Sequence, residues 1–304
     1  MKTIVTLYSQ KFPKRMLKRS EDLYFYFQNK GINLCRSSIK DYDINKKIFK
    51  KALFFENGSW IWKNNVKPTS VYDRSLFSIN NKFAIIRKKI EKDYFYFNNI
   101  ALSELFSNKW LTYKKFSKYS PKTVLIKNRK DLSKINILKS AKIITKPLFG
   151  SGGDGIKISK KTNVKAMKFP FIAQELICAE KGIPGLVKGP HDLRIMMADE
   201  KPFHAFLRIP KKGKFIANLS HGSKIKVVPI KNIPKEVWKI VKEISKSLKK
   251  FKKKLYAVDF IIDNNGKVWV IEINSRPGII LEKAELPYRK KYYNNLLNFF
   301  KINL

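Results

Sequence analysis

The stretch YAVDFIIDNNGKVWVIEINSRPG, residues 256–278, decides how the rest of the chain is read. Two apolar runs flank Asp263-Asn264-Asn265-Gly266, a turn-forming cluster, so the segment predicts a β-hairpin. Alternation along the second strand puts Val270, Glu272 and Asn274 on one face and Trp269, Ile271 and Ile273 on the other. With the turn centred on Asn264-Asn265, Asp259 pairs opposite Val270 and shares a face with Glu272, a diagonal neighbour at about 7–8 Å between Cα atoms. Three oxygen donors, Asp259, Glu272 and Asn274, then project from one sheet face. Hard oxygen ligands in small number suit Mg²⁺, which keeps water and takes further ligands from nucleotide phosphates. The same residues also read as the solvated polar face of an ordinary antiparallel pair.

A second stretch, KIITKPLFGSGGDGIKISK at 142–160, favours the metal reading. A strand ending at Lys146 leads into Gly150-Ser151-Gly152-Gly153-Asp154-Gly155 and then into another strand. Glycines admit backbone conformations closed to other residues, so such a loop brings N–H groups close to an anion, with the Lys146 charge beside it. No GK[ST] follows, and a strand rather than a helix comes next, so neither common phosphate-loop motif is present. A plain surface turn is the alternative, at a considerable cost in chain entropy.

With 304 residues, 44% of them hydrophobic, the chain can fill the core of one large domain or the cores of two to three modest ones. No apolar run approaches a membrane span. The start, MKTIVTLYSQKFPKR, has too short an apolar stretch for a secretory signal and predicts a first strand, so the cytoplasm is the expected location. Cys35 and Cys178 set no disulfide framework, and His191, His204 and His221 are too scattered for a zinc site. The net charge of +42 raises a nucleic-acid partner as one reading. The basic residues are overwhelmingly lysine, spread along the chain beside abundant Asn, Ile and Phe, which AT-rich coding explains without a partner.

Along the chain, residues 1–99 alternate strand-like and helical segments, with a hairpin turning at Asn57-Gly58, and predict an open α/β layer structure. Asp73 and Arg74 end an apolar strand, where ligand-binding residues of open sheets tend to lie; a capping or surface pair is the other reading. A helix is expected from Ser103, with Lys109 near its far end or at the start of the next. FIAQELI, 171–177, predicts a strand able to offer Gln174 or Glu175 and backbone groups to an adenine edge. Two strands joined by a turn at 199–202 follow; Asp192 and Arg194 share a face of the first, Arg208 ends the second, and Asn218 lies in a loop closed by Gly222. Arginines clamp a phosphate or carboxylate in a fork that lysine cannot offer, or form structural ion pairs. After Pro234, Val237, Ile240, Val241, Ile244 and Leu248 fall at helical spacing, and NNLLNFFKINL predicts a closing helix.

In this order, the glycine loop, the QELI strand, DxR, RIPxxG…NL and DFxx…EIN resemble the ATP-grasp superfamily over about residues 95–280. Within it the chain is most similar to prokaryotic glutathione synthetases and to the RimK-like glutamate ligases that extend a ribosomal protein's C-terminus. The resemblance implies an ATP-grasp fold of α/β and α+β class. Its expected parts are an N-terminal α/β domain at 1–100, a central α+β subdomain with the glycine loop at 101–170, and a C-terminal α+β subdomain with the metal site at 171–304. Carried over residue by residue, it implies that Lys109 and Lys146 contact ATP phosphates and that Gly150, Ser151, Gly152, Gly153 and Gly155 cover them. Gln174, Glu175, Leu176 and Ile177 would hold adenine, with Asp192 near the ribose. Arg194, Arg208 and Asn218 would face the transferred phosphate and acyl substrate, and Asp259, Glu272 and Asn274 would hold two Mg²⁺ ions, with Mn²⁺ as an alternative. The implied reaction joins a carboxylate to an amine through an acyl phosphate, with an amino acid, a peptide or a protein C-terminus as substrate, and allows a homo-oligomer. Ser275-Arg276-Pro277-Gly278 resembles the Asn-Ala-Ser-Pro-Gly ending of the glutamate ligases, His221-Gly222-Ser223 lacks the usual paired glycines, and NGSWIWK…VYDR is similar to spore-associated ATP-grasp proteins. A basic nucleic-acid-binding protein and an ATP-binding protein without ligase activity are the competing functions.

Overall fold

The computed structural model describes residues 1–8, 14–75, 83–150, 153–164, 167–211, 213 and 222–301. The chain begins with β1 (Lys2–Tyr8), α1 (Lys14–Gln28), β2 (Ile32–Ser38), β3 (Tyr42–Asp43), β4 (Ile48–Glu56), β5 (Ser59–Val66), β6 (Ser70–Asp73), α2 (Ala84–Asp93), β7 (Phe95–Phe97) and α3 (Ile100–Ser107). One sheet runs β3-β4-β2-β1-β6-β7, with β5 on β4. β1 pairs in parallel with β2 and β6, and β6 with β7, whereas β4 is antiparallel to β2 and β5. Asn57 and Gly58 both take positive φ, 49° and 75°, and Glu56 pairs with Ser59, so the expected turn is a two-residue loop of the kind whose twist matches its strands. α1 buries Ser20, Leu23, Tyr24 and Phe27, an i, i+3, i+4, i+7 stripe. α3 starts three residues before the predicted Ser103, because Glu91 accepts from the Ile100 N–H and Asn99 from Leu102.

This first unit comprises Met1–Glu104, Lys249–Leu255 and Ser275–Leu304. Asn98 ties these segments together: its side chain accepts from the Leu255 N–H at 2.6 Å and donates to the carbonyls of Leu255 and Ser275. The closing helix Arg289–Lys301 packs Phe299 and Phe300 against Phe97. Under β6, Asp73 is fully buried; one oxygen accepts from the Ser75 N–H and hydroxyl, the other from Tyr96 at 2.7 Å, and Arg87 lies at 3.2 Å.

The second unit, Leu105–Leu248 and Tyr256–Asn274, holds two sheets. α4 (Lys109–Phe116) precedes β8 (Thr123–Ile126), β9 (Lys142–Pro147), β10 (Lys157–Lys160) and β11 (Phe171–Glu175), an antiparallel sheet in the order β10-β9-β11-β8. β12 (Asp192–Ala198), β13 (Lys201–Ile209), β14 (Lys224–Val227), α5 (Lys235–Ser247), β15 (Leu255–Ile262) and β16 (Val268–Asn274) follow, their strands ordered β14-β13-β12-β15-β16. α5 buries the predicted stripe from Val237 to Ile244. No helix of the described residues is long and apolar enough to cross a membrane.

The register of the β15-β16 hairpin differs from the expected one. Ile262 pairs with Val268, so the loop has one residue more than a turn centred on Asn264-Asn265, because Asp263 accepts from the N–H groups of Asn265 and Lys267 and from the Trp269 indole. A bulge between Asp259 and Phe260 adds a second step, leaving Ile271 as the extra residue. Asp259 therefore lies opposite Glu272, not Val270.

Replacing one partner of a buried ion pair leaves the other charge uncompensated. Asp73→Ala should therefore lower stability by about 3–5 kcal/mol in urea denaturation. Asp22→Ala, at the exposed pair with Arg289, should change it by less than about 1 kcal/mol.

Candidate active site

Lys146 leaves β9 toward Gln174 of β11, donating to its Oε1 at 2.9 Å, while the Gln174 amide donates to Thr123 of β8 at 2.8 Å. Three adjacent strands thus fix one ammonium in place. Lys146 is only 5% exposed. Burial lowers its pKa to about 8, the Glu272 carboxylate opposes that fall, Lys109 adds to it, and Asp192 and Asp259 oppose it in turn. A lysine of the four-stranded sheet therefore lies in the field of three carboxylates of the five-stranded sheet. Lys109, Thr112, Tyr113, Lys146, Gln174 and Glu272 line one small cavity of about 30 Å³.

Lys109 begins α4, and the helix N-terminus is capped by Asn108, whose side chain accepts from Trp110 and Leu111. Its N–H donates to the Leu148 carbonyl at 3.0 Å and its ammonium to the Gly150 carbonyl at 2.7 Å, fastening the helix to the start of the glycine loop. Gly155, at φ 74°, has no alternative: a Cβ there would stand 2.8 Å from the Pro147 ring. Gly150 and Gly153 also take positive φ, whereas Ser151 and Gly152 lie outside the described residues.

On the other sheet, Arg194 grips Asp259 with two parallel bonds of 2.6 Å, and Arg208 donates to Asp259 at 2.7 Å and to Asp192, its cross-strand partner. Burial alone would raise the Asp259 pKa, but the two guanidiniums more than offset it and hold the carboxylate at about 2. For Asp192 burial prevails over Arg208 and lifts the pKa to about 7. Burial opposes the Arg208 charge as well, yet Asp192, Asp259 and Glu272 drive its pKa upward. Asp192 Oδ1 and Arg208 Nε are buried without a hydrogen-bond partner among the described residues. Glu272, half-buried, makes no hydrogen bond or ion pair there.

Gln174 is buried with both ends of its amide engaged, and Glu175 accepts from the Lys139 N–H at 2.6 Å. β11 ends at Glu175, so Leu176 and Ile177 lie beyond the strand predicted to contain them. Asn274 closes β16, and Asn218 lies outside the described residues. Among the described residues no group of three His, Cys, Asp or Glu side chains is placed to hold a metal ion by itself. Sequence reasoning missed Thr123, Thr112 and Tyr113. Thr123 carries no local signal, since only strand pairing brings it to Gln174.

Two sheets with a buried lysine of one facing carboxylates of the other across a cavity define the ATP-grasp class of fold. The family described as the prokaryotic glutathione synthetase ATP-grasp domain matches residues 108–283, more than half of the chain, and the chain belongs to it. Its fold is similar to that of the ATP-grasp ligase PsnB, solved with a phosphomimetic variant of minimal precursor, Mg and ADP, at 12% identity over 100% of this chain and 99% of that one, with a TM-score of 0.62. The RiPP-associated ATP-grasp ligase of Chryseobacterium gregarium, in complex with ADP and a leader and core peptide, shares 16% identity over 98% and 97% of the two chains, with a TM-score of 0.62. D-alanyl-alanine synthetase A from Vibrio cholerae shares 13% over 98% and 99%, also with a TM-score of 0.62. No curated protein matches the sequence.

Asp259→Ala should destabilise the protein by about 3–5 kcal/mol in chemical denaturation, since two buried guanidiniums lose their partner. Glu272→Gln should cost less than Asp259→Ala in the same assay, because Glu272 makes no hydrogen bond or ion pair among the described residues and acts on Lys146 and Arg208 only through its field.

Proposed function

We propose that this protein is an ATP- and Mg²⁺-dependent carboxylate-amine ligase acting on an amino acid, a small peptide or a peptide terminus. The observation that carries this reading is the cavity in which Lys109 and Lys146 meet the Glu272 carboxylate, in the field of Asp192 and Asp259. Cations on one side suit phosphate oxygens, and carboxylates on the other suit a hard divalent ion.

In this reading Lys146 and Lys109 hold the phosphates, and the 150–155 loop offers them backbone N–H groups. Segment 174–177 borders the adenine, mainly by its backbone, since the Gln174 and Glu175 side chains already have partners. Asp192 lies toward the ribose, and Arg194, Arg208 and Asn218 toward the transferred phosphate and acyl group. Asp259, Glu272 and Asn274 would hold Mg²⁺: Glu272 is uncommitted among the described residues, and a carboxylate oxygen such as Asp259 Oδ1 keeps a lone pair beyond its bond to Arg194. Bound metal would neutralise charge on the phosphate oxygens. Arg208 and Arg194 hold Asp259 ionised, so the donor is ready at neutral pH. The substrate carboxylate attacks the γ-phosphorus and ADP leaves. The amine nitrogen then attacks the acyl carbon, phosphate departs with its bridging oxygen, and the amine proton passes to solvent.

ADP should stabilise the protein against heat, and ADP release should appear with one member of a pool of amino acids and short peptides. If neither occurs with Mg²⁺ present, the reading is wrong. Because Lys146 loses its charge near pH 8, ADP affinity should fall between pH 7 and 9 in calorimetry; Lys146→Met should be weaker at pH 7 and flat across that range.

A further inference from the structure

We infer that the first unit carries a carboxylate-binding subsite, formed by Arg74 and Arg276 where the carboxyl ends of β1 and β6 meet. Only ten of the 65 Lys and Arg residues are arginine, and four of these, Arg36, Arg74, Arg87 and Arg276, belong to this one region. Arg36, Thr6 and Tyr72 form a row across β2, β1 and β6, and Tyr8 and Arg74 follow two residues on. The Arg36 guanidinium stands 3.8 Å from the Tyr8 ring centroid and that of Arg74 5.4 Å from Tyr72. The chain passes from β1 to β2 on one side and later to β6 on the other, and open α/β sheets bind ligands in the crevice outside the carboxyl ends of the strands at such a reversal.

Charge gives the crevice its character. Asp73 is a carboxylate beside these arginines, and its oxygens are occupied by Ser75, Tyr96 and Arg87. Arg74 donates to neutral acceptors, the Tyr72 hydroxyl at 3.1 Å and the Pro277 carbonyl at 2.8 Å, and its Nε is buried without a partner among the described residues. Arg276 donates to the Ser75 carbonyl. Guanidinium forks suit a planar carboxylate. That this carboxylate belongs to a substrate of the ligation rests on the ligase reading; that the crevice binds it does not.

The test is read without nucleotide, by calorimetry with glutarate and, in parallel, inorganic phosphate. Glutarate should bind the parent protein, and Arg74→Gln, Arg74→Lys and Arg276→Gln should each weaken it about ten- to a hundredfold, the loss expected for charge-assisted hydrogen bonds, while the exposed control Arg129→Gln should not. Arg74→Lys keeps the charge and loses the fork, so it and Arg276→Gln carry the test if Arg74→Gln fails to fold. Absence of glutarate binding, unaltered binding in these variants, or equal affinity for phosphate would overturn the subsite. Lack of ligase turnover would leave a positive result standing, whereas turnover with an unaltered KM in Arg74→Lys would remove its assignment to substrate.

Discussion

A carboxylate with almost no access to water, Asp259, stays ionised because two guanidiniums reach it at 2.6–2.7 Å. The arrangement holds only if β12, β13 and β15 keep their order and register: Arg194 comes from β12, Arg208 from β13 and Asp259 from β15. A slip of one residue in any of these strands would turn a charge toward the apolar face and leave its partners buried alone. The cluster therefore constrains the whole second sheet, although buried ion pairs contribute little net stability compared with apolar packing.

Lys146 is the counterpart on the other sheet. It is depressed by burial and sustained by a neutral amide and distant carboxylates rather than by an ion pair, so its charge is held in reserve. Arg194 and Arg208 cannot lose their protons under any ordinary condition, whereas a buried lysine can. The chain's many other lysines are mostly exposed, and their charge is screened by salt within about 8–10 Å. The extreme net charge therefore says less about the site than one buried ammonium does.

The +42 charge, the paired apolar runs and the clustered glycines are visible without coordinates. So were the helix stripe of α5, the Asn57-Gly58 turn and the strand that carries Lys146, which runs one residue further to Pro147, because each depends on contacts a few residues apart. The hairpin register was misread: the side chain of Asp263 lengthened the loop, and the bulge at Ile271 moved Glu272 opposite Asp259. Likewise Gln174 looked available to a base edge, while its amide is occupied by Lys146 and Thr123.

The sequence by itself determined which segments become strands and helices, and which residue types are on hand for binding phosphate and metal, since periodicity and turn chemistry are local. Only the tertiary structure decided that Asp192, Arg194, Arg208 and Asp259 form one cluster, and that the tail after Asn274 packs with the N-terminal unit through Asn98 and Phe97. Those outcomes depend on charges and hydrogen-bonding groups far apart in the chain. Burial makes each of them costly until a partner arrives, and no local pattern names that partner.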